Sequence, residues 1–276
     1  AVTFIIGAAS LAGIVPLSTT LDTAGTLTRT VSDAALAFAV IDPLVSESTD
    51  TFNHHLGTAS LADFHIGVCD WYFTDCDPGV AEGVKAALDE LAAAGLRVSS
   101  VELPEVEESV AMFKKGGLAA PEFASFINNE MAAFRDDLDP NVAARFEVME
   151  SVEAVEYMAR CNQRLDLARR VREGMAGFDA IVGPTIAITP PIVEDVADPK
   201  DYHRANMGAS RNTSTVNMLD LCAVTMPVAL DEAGMPVGLH IICSLGEDET
   251  ALAIALAAEK ALGTARQRLG VPPLGA

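Results

Sequence analysis

The sequence has 276 residues, half of them hydrophobic, which is enough apolar material for one large core or two modest ones. Thirty-nine Asp and Glu against 18 Lys and Arg give a formal net charge of −21, so we expect no nucleic-acid partner and no attraction to anionic lipid surfaces. No apolar run reaches the roughly 18 residues needed to cross a bilayer, and we expect neither a membrane anchor nor a signal peptide.

The polar side chains give no sign of a metal or an organic cofactor. The acidic residues are scattered along the chain, which is typical of a solvated surface, and the histidines lack metal-ligand spacing. The cysteines are five in number, widely spaced and without a C-x-x-C pair, so we expect a reduced, cytoplasmic setting.

The N-terminal part combines short apolar runs with a cluster of hydroxyl groups. "VTFII" and "GIVPL" predict two buried strands, and eight Ser or Thr side chains fall between Ser18 and Ser32. Thr30 followed by Asp33 predicts a capping box, with a helix from about Val31 to Ile41. Two of the eight hydroxyls, those of Thr30 and Ser32, are thereby assigned to the helix start.

The middle of the chain predicts a strand-helix-strand unit. Residues 42–63 are polar and irregular and predict a surface loop. "FHIGVCDWYF" then predicts a strand, and Asp77 with Pro78 predicts the capped start of an amphipathic helix that ends at Gly95. The following "LRVSSVEL" predicts a second strand, parallel to the first by a right-handed crossover.

The later part predicts helices and three more strands. Residues 105–177 are helical in pattern, with breaks at Gly116 and Gly117, at Pro121 and at 139–140. "FDAIVGPT" predicts a strand, 190–210 a surface loop and Thr213 to Leu219 a helix. "AVTMPVALDEAGMPVGLHIICS" predicts a hairpin, and "EDETALAIALAAEKALG" a closing helix. The fold class is therefore α/β, a mixed β-sheet core covered by helices, in one domain over 1–276.

Four segments in this order resemble the amidase signature family, the C–N hydrolases with a Ser, cis-Ser and Lys triad. They are "GIVPLSTTLDTAGTLTRTVSDAALAFAVI", "HIGVCDWYFTDCDPGVAEGVKAALDELAAAGLRVSSVELP", "FDAIVGPT" and "RNTSTVNMLDLCAVTMPVALDEAGMPVGLHII". The resemblance covers nearly the whole chain. It implies that this chain corresponds to the later part of the fold, because the family's lysine and both serines precede the Pro-Leu-Ser stretch.

The resemblance implies substrate-binding residues and no catalytic ones. Its Arg-x-Thr-x-x-x-Asn run matches Arg211, Thr213 and Asn217; the first two are expected to line the pocket, and Asn217 to bind backbone. Thr185 ends the "FDAIVGPT" strand, where sites of α/β sheets gather. The remaining expected pocket residues come from the hydroxyl cluster, in the stretch that lies near the pocket in the family: Ser18 and Thr20.

Other residues that resemble catalytic or ligand-binding groups have simpler structural interpretations. Ser10 lies among small residues, but no base is near it in sequence, so packing at a strand end is expected. Asp22 and Arg29 predict a structural pair, and "KKGG" from Lys114 lacks the spacing of a phosphate loop and predicts a helix break. The run "DWYFTDCDPG" lacks the glycine position of a calcium loop.

The expected function is part of an amidase that cleaves a carboxamide through an acyl-serine intermediate, with this chain supplying pocket walls and inactive alone. Two alternatives stay open: a catalytically inactive, amidase-like binding module, and an A-type subunit of an amidotransferase. The expected ligand is a small amide. The expected protein partner is either a second copy of the chain or the family's N-terminal half.

Overall fold

The computed structural model describes residues 2–5, 11–42, 49–147 and 149–271. Within them, the strands form one seven-stranded mixed sheet in the order β2-β1-β6-β7-β5-β3-β4. The strands are β1 Val2–Ile5, β2 Ala24–Leu27, β3 His65–Val68, β4 Arg97–Ser100, β5 Ala180–Pro184, β6 Leu221–Leu230 and β7 Pro236–Ser244. The α/β fold with a mixed sheet is therefore confirmed.

Ten α-helices surround the sheet in the described part of the chain. They are α1 Val31–Ile41, α2 Thr49–Thr58, α3 Val80–Ala93, α4 Pro104–Lys114, α5 Ala119–Glu130, α6 Pro140–Glu147, α7 Ala154–Gly174, α8 Pro199–Met218, α9 Asp248–Leu262 and α10 Ala265–Leu269. Short 3₁₀ turns at Leu61–Asp63, Asp70–Phe73, Ala132–Asp137 and Val193–Val196 join some of them.

Parallel and antiparallel pairs coexist in the sheet. β3 runs parallel to β4 and to β5, and α3 crosses between β3 and β4 as the sequence predicted. β6 and β7 form the predicted antiparallel hairpin, and β7 also pairs antiparallel with β5. β1 lies between β2 and β6, antiparallel to both, so β2 and β4 are the outer strands.

The two faces of the sheet bury different helices, because successive strand residues point to opposite sides. Ala180 and Val182 of β5 point into a core formed with α1, α3 and α9. Ile181, between them, points into a second core formed with α4, α7 and α8. Burial of this apolar surface on both faces is the main driving force for the layered arrangement.

Two predicted helix boundaries are confirmed. α1 spans Val31–Ile41, and the Thr30 hydroxyl accepts the Asp33 amide at 3.1 Å. The Val31 amide, which has no intrahelical acceptor, donates to the Glu259 carboxylate of α9. α3 is followed by Gly95 at φ +111, the left-handed conformation that favours glycine at a helix end.

Both predicted surface loops contain helices instead. In 42–63, α2 forms because Phe52 and Leu56, four residues apart, bury one face, with Phe52 against Phe38 at 5.8 Å between ring centroids. In 190–210, α8 begins at Pro199, not near Thr213. The Asp198 carboxylate accepts the Lys200 amide at 2.8 Å and caps that helix.

Three smaller predictions are also wrong. α3 begins at Val80, and the Asp77 carboxylate accepts the Thr189 amide at 2.8 Å instead of capping it. The "GIVPL" segment forms turns, and the second strand is Ala24–Leu27. Pro121 lies in the first turn of α5, where its missing amide donor has no intrahelical partner to lose, so it does not break the helix.

Candidate functional site

A cavity of about 650 Å³ lies on the α8 side of the sheet. Four segments line it: the loop 17–23, the α4–α5 junction 113–120, residues of 141–149, and α8. A concave site of this size, mostly apolar with a few polar groups, is the usual form of a small-molecule pocket. We call it the main cavity.

A single carboxylate holds the loop on one side of the main cavity. Glu122 Oε2 of α5 accepts the Ser18 hydroxyl at 2.7 Å and the Thr20 amide at 3.0 Å, and the Thr19 hydroxyl lies at 3.2 Å. Its other oxygen accepts the Tyr157 hydroxyl of α7 at 2.8 Å. Ser18 is buried, and its oxygen also accepts the Leu21 amide at 3.0 Å. We call this group the Glu122 cluster.

The hydrogen bonds decide the charge of the Glu122 cluster. Burial alone would raise the pKa of Glu122, but donors on Thr20, Ser18 and Tyr157 outweigh it and lower the pKa below its usual range. Burial and the neighbouring Glu122 raise the pKa of Tyr157, which stays a neutral donor. A carboxylate with a lowered pKa is a weak base, so Glu122 positions Ser18 and does not activate it as a nucleophile.

The C-terminal half of α8 closes another side of the main cavity. Ser214, Asn217 and Met218 line it, and Asn217 Nδ2 donates to the Leu21 carbonyl at 2.8 Å, the backbone role predicted for this residue. Thr213 lines neither cavity described here; its hydroxyl lies 3.4 Å from the Ser210 carbonyl. Its role in substrate binding stays a prediction.

Arg211 makes a different set of contacts from those expected of a pocket residue. Its guanidinium donates to the carbonyls of Trp71 and Thr74 at 2.8 and 2.5 Å, and it lies 4.2 Å from the centre of the Trp71 ring. These contacts fix the 3₁₀ turn after β3 onto α8. Arg211 lines neither cavity, so the structure gives it a clamping role, and substrate binding by it stays a prediction.

Thr185 lies in a second cavity of about 420 Å³ at the carboxyl end of β5. Its hydroxyl is hydrogen bonded to that of Thr225. A Cβ on Gly238 would lie 2.6 Å from the Thr185 hydroxyl and 2.7 Å from that of Thr225, so only glycine fits between them. The other walls are largely prolines and aliphatic side chains.

Of the five predicted substrate-binding residues, Ser18 alone lines the main cavity. Thr20 takes part through its backbone amide in the Glu122 cluster and does not line the cavity. Sequence reasoning missed Glu122 and Tyr157, since nothing local distinguishes this glutamate from the other acidic residues. It also missed the lysines of "KKGG": the segment breaks the helix as predicted, and Lys114 and Lys115 line the cavity as well.

One serine outside the cavities has a histidine partner. His65 Nδ1 lies 3.1 Å from the Gly177 carbonyl, which can only accept, so Nδ1 carries the proton and Nε2 is free to accept from the Ser99 hydroxyl at 2.9 Å. Both residues are on the β3–β4 edge of the sheet. Neither lines the main cavity or the second one.

The remaining candidates of the sequence analysis have mixed outcomes. Ser10 lies outside the described residues. Asp22 accepts the Leu17 amide at 2.8 Å, and within the described ranges no ion pair joins it to Arg29. In the same part of the chain, no three His, Cys, Asp or Glu side chains are grouped so as to hold a metal ion. None of the helices described there has the length and apolar character to span a membrane.

Comparison with known proteins gives one family throughout. The Amidase family model matches residues 5–252. A 2-amino-5-chloromuconic acid deaminase of Comamonas testosteroni is 38% identical over 267 residues, covering 95% of this chain and 56% of that protein. The A-type subunit of a glutamyl-tRNA(Gln) amidotransferase from Chlorobium phaeobacteroides is 26% identical over 280 residues, covering 90% of this chain and 58% of that protein.

A solved structure shares the fold over nearly the whole of this chain. The crystal structure of an amidase superposes with a TM-score of 0.76 at 25% identity, covering 95% of this chain and 58% of that one. The chain thus spans little more than half the length of each of these three proteins.

Proposed function

Because the chain belongs to the amidase signature family, we propose that it forms the substrate-pocket wall of an enzyme that hydrolyses a carboxamide C–N bond through an acyl-serine intermediate. The observation that carries this proposal is the family match over 5–252 together with the main cavity, one wall of which comes from the Pro-Leu-Ser stretch held by Glu122. In this account the serine that is acylated, its cis serine and the lysine are not among these 276 residues.

The chemistry of the hydroxyls around the main cavity supports a wall role. An attacking serine needs a base that can take its proton, and Ser18 instead donates to a carboxylate whose pKa is lowered. Ser214 donates to the Arg211 carbonyl at 3.1 Å, which is not a base either. What these side chains supply is shape and fixed hydrogen-bond geometry, on which positioning of a substrate depends.

The test compares the 276-residue chain with a longer protein. The chain alone should hydrolyse simple carboxamides at the rate of buffer. A fusion that places before it the segment preceding the matched region in the Comamonas relative should give turnover that is lost when the nucleophilic serine is replaced by alanine. Serine-dependent turnover by the chain alone would contradict the proposal. A folded fusion without turnover would argue for the inactive binding module.

The relative of 26% identity supports a second candidate, the A-type component of an amidotransferase. This candidate predicts dependence on glutamine and copurification with a separate partner subunit. The amidase predicts no dependence on glutamine, and its expected protein partner is a second copy of the chain or the family's N-terminal half. We rank it after the amidase, because the relative of 38% identity is named as a deaminase of a small acid. The free thiols of all five cysteines agree with a reduced, cytoplasmic location, which we propose with the amidase function.

A further inference from the structure

The main cavity has a charge balance opposite to that of the whole protein. The chain carries 39 acidic and 18 basic residues. Among the residues that the structure describes, the acidic and basic side chains that line the main cavity are Asp22, Lys114, Lys115 and His203. In this described lining, two lysines accompany one aspartate, in a protein of net charge −21.

The carboxylate of Asp22, the one acidic group in the described lining, is occupied by its own loop. Asp22 Oδ2 accepts the Leu17 amide at 2.8 Å, and Asn217 from α8 fixes the neighbouring Leu21 carbonyl at 2.8 Å. Glu122, behind the wall, is likewise surrounded by donors on Ser18, Thr20 and Tyr157. Neither carboxylate forms an ion pair with a lysine of the cavity in the part of the chain that the structure describes.

The two lysines are available to a ligand. Lys114 ends α4, Lys115 follows it, and both are exposed. Among the ion pairs of the described residues, neither lysine has a carboxylate partner. Gly116 at φ +96 and Gly117 at φ +51 then turn the chain so that α5 begins at Ala119 on the same cavity wall. Two lysines without a carboxylate partner on one part of the lining attract an anion, and a lysine ammonium can donate charge-assisted hydrogen bonds to a carboxylate.

The rest of the lining limits the shape of that anion. Phe113, Leu118, Met149 and Met207 give the main cavity apolar walls. Its volume of about 650 Å³ suits a small molecule, and methionine side chains adapt to ligands of irregular shape. The fitting ligand has a carboxylate at one end and a short apolar chain behind it.

We propose that Lys114 and Lys115 form a carboxylate subsite, and that the substrate is an amide bearing an acid group at the far end of a short apolar chain. This inference deepens the proposed function and rests on it for the amide end of the ligand. The lysines hold the carboxylate, and the apolar walls hold the chain between it and the amide.

Two ligands of equal length, one with a carboxylate and one without, test the subsite by a binding measurement alone. Succinamate carries one carboxylate and one carboxamide, and succinamide has the same length without the charge. Titration calorimetry on the 276-residue chain at low ionic strength should show succinamate binding about tenfold more tightly than succinamide. Raising the salt concentration should reduce that preference, because the lysines are exposed and screened.

The control variant removes one lysine charge on the other side of the sheet. The double variant Lys114→Gln, Lys115→Gln should lose the preference for succinamate and bind succinamide as before. Lys85→Gln should keep the preference, since Lys85 is on α3, which packs against the opposite face of the sheet. Thermal melts of all three proteins establish that each is folded.

Three results would overturn the carboxylate subsite. They are equal binding of the two ligands by the unchanged chain, a preference that survives the double substitution, and no binding of either ligand up to about 10 mM. Each concerns binding only. Hydrolysis of neutral amides by the longer fusion could succeed while the subsite fails, and a preference for succinamate could hold while no amide is cut.

Discussion

The main cavity and the His65–Ser99 pair lie in different places. A hydrolase needs a substrate cavity and a serine beside a base at the same site. The main cavity offers a concave space of about 650 Å³, but the hydroxyl of Ser18 on its wall donates to a carboxylate of lowered pKa. The Ser99 hydroxyl faces an imidazole nitrogen at 2.9 Å, yet neither residue lines a cavity described here.

The difference shows that a hydrogen-bonded pair and a substrate site are separate requirements. A histidine beside a serine contributes to a reaction only if a substrate is held in line and its developing charge is stabilised. The His65 ring lies 4.7 Å from the Phe178 ring, so its contacts also suit a structural role that fixes the sheet edge. The Glu122 cluster, in turn, is a scaffold that keeps the cavity wall in shape.

The largest expected effect comes from removing the centre of the Glu122 cluster. Glu122→Ala leaves the buried Ser18 hydroxyl and the Thr20 amide without their acceptor, and we expect a loss of about 3 kcal/mol in the free energy of unfolding. Urea denaturation measures it. Glu156→Ala, which removes a carboxylate on exposed α7 surface, is the control and should change stability by less than about 0.5 kcal/mol. Equal effects would mean that the cluster does not hold the wall.

Ser18→Ala should have the next largest effect. The buried hydroxyl donates to Glu122 and accepts the Leu21 amide, so its removal should cost about 1.5 kcal/mol. Hydrogen exchange should also show faster exchange of the Leu21 amide. An unchanged exchange rate at Leu21 would show that the loop does not depend on this serine.

The pH dependence of stability should reveal the charge of Glu122. Since folding lowers its pKa, the carboxylate stabilises the folded protein above its ordinary pKa of about 4.3, and this stabilisation is lost as the pH falls through the lowered value. The difference in unfolding free energy between the unchanged chain and Glu122→Gln should therefore be constant near neutral pH and shrink in acid. A difference that grows in acid would contradict the ionised cluster.

The smallest effect is expected at the sheet edge. Ser99→Ala removes one exposed hydroxyl from His65 and should change the free energy of unfolding by less than about 0.5 kcal/mol. Chemical denaturation of Ser99→Ala and Ser18→Ala under the same conditions compares their free energies of unfolding. If Ser99→Ala were the more destabilising of the two, the hydroxyl at the sheet edge would matter more to stability than the Glu122 cluster, and the comparison would fail.

The sequence predicted the elements whose signals are local. α1 follows from the Thr30 cap and α3 from its apolar period, and the β6–β7 hairpin follows from two strands around one turn. α2 was missed because two apolar residues, Phe52 and Leu56, suffice once Phe38 covers them, and such tertiary burial leaves little periodicity. The start of α8 at Pro199, capped by Asp198, was missed because the surrounding prolines favoured a loop.

The site could be predicted only where it lies in one segment. Ser18 was identified from the Pro-Leu-Ser stretch, whereas its partner Glu122 is 104 residues away and no short-range pattern joins them. The same holds for Arg211, whose acceptors on Trp71 and Thr74 come from the turn after β3. Long-range hydrogen bonds between polar residues leave no period in a sequence, so the clamp and the cluster required the structure.

The central claim is that the hydroxyl groups of these 276 residues form a wall and that none is a nucleophile. A fluorophosphonate probe, which reacts covalently with activated serines, tests it most directly on the isolated chain, with peptide mass spectrometry to locate any adduct. The account predicts no adduct beyond that of the heat-unfolded chain. A stoichiometric adduct on a single serine, at Ser18, at Ser99 or elsewhere, would contradict it.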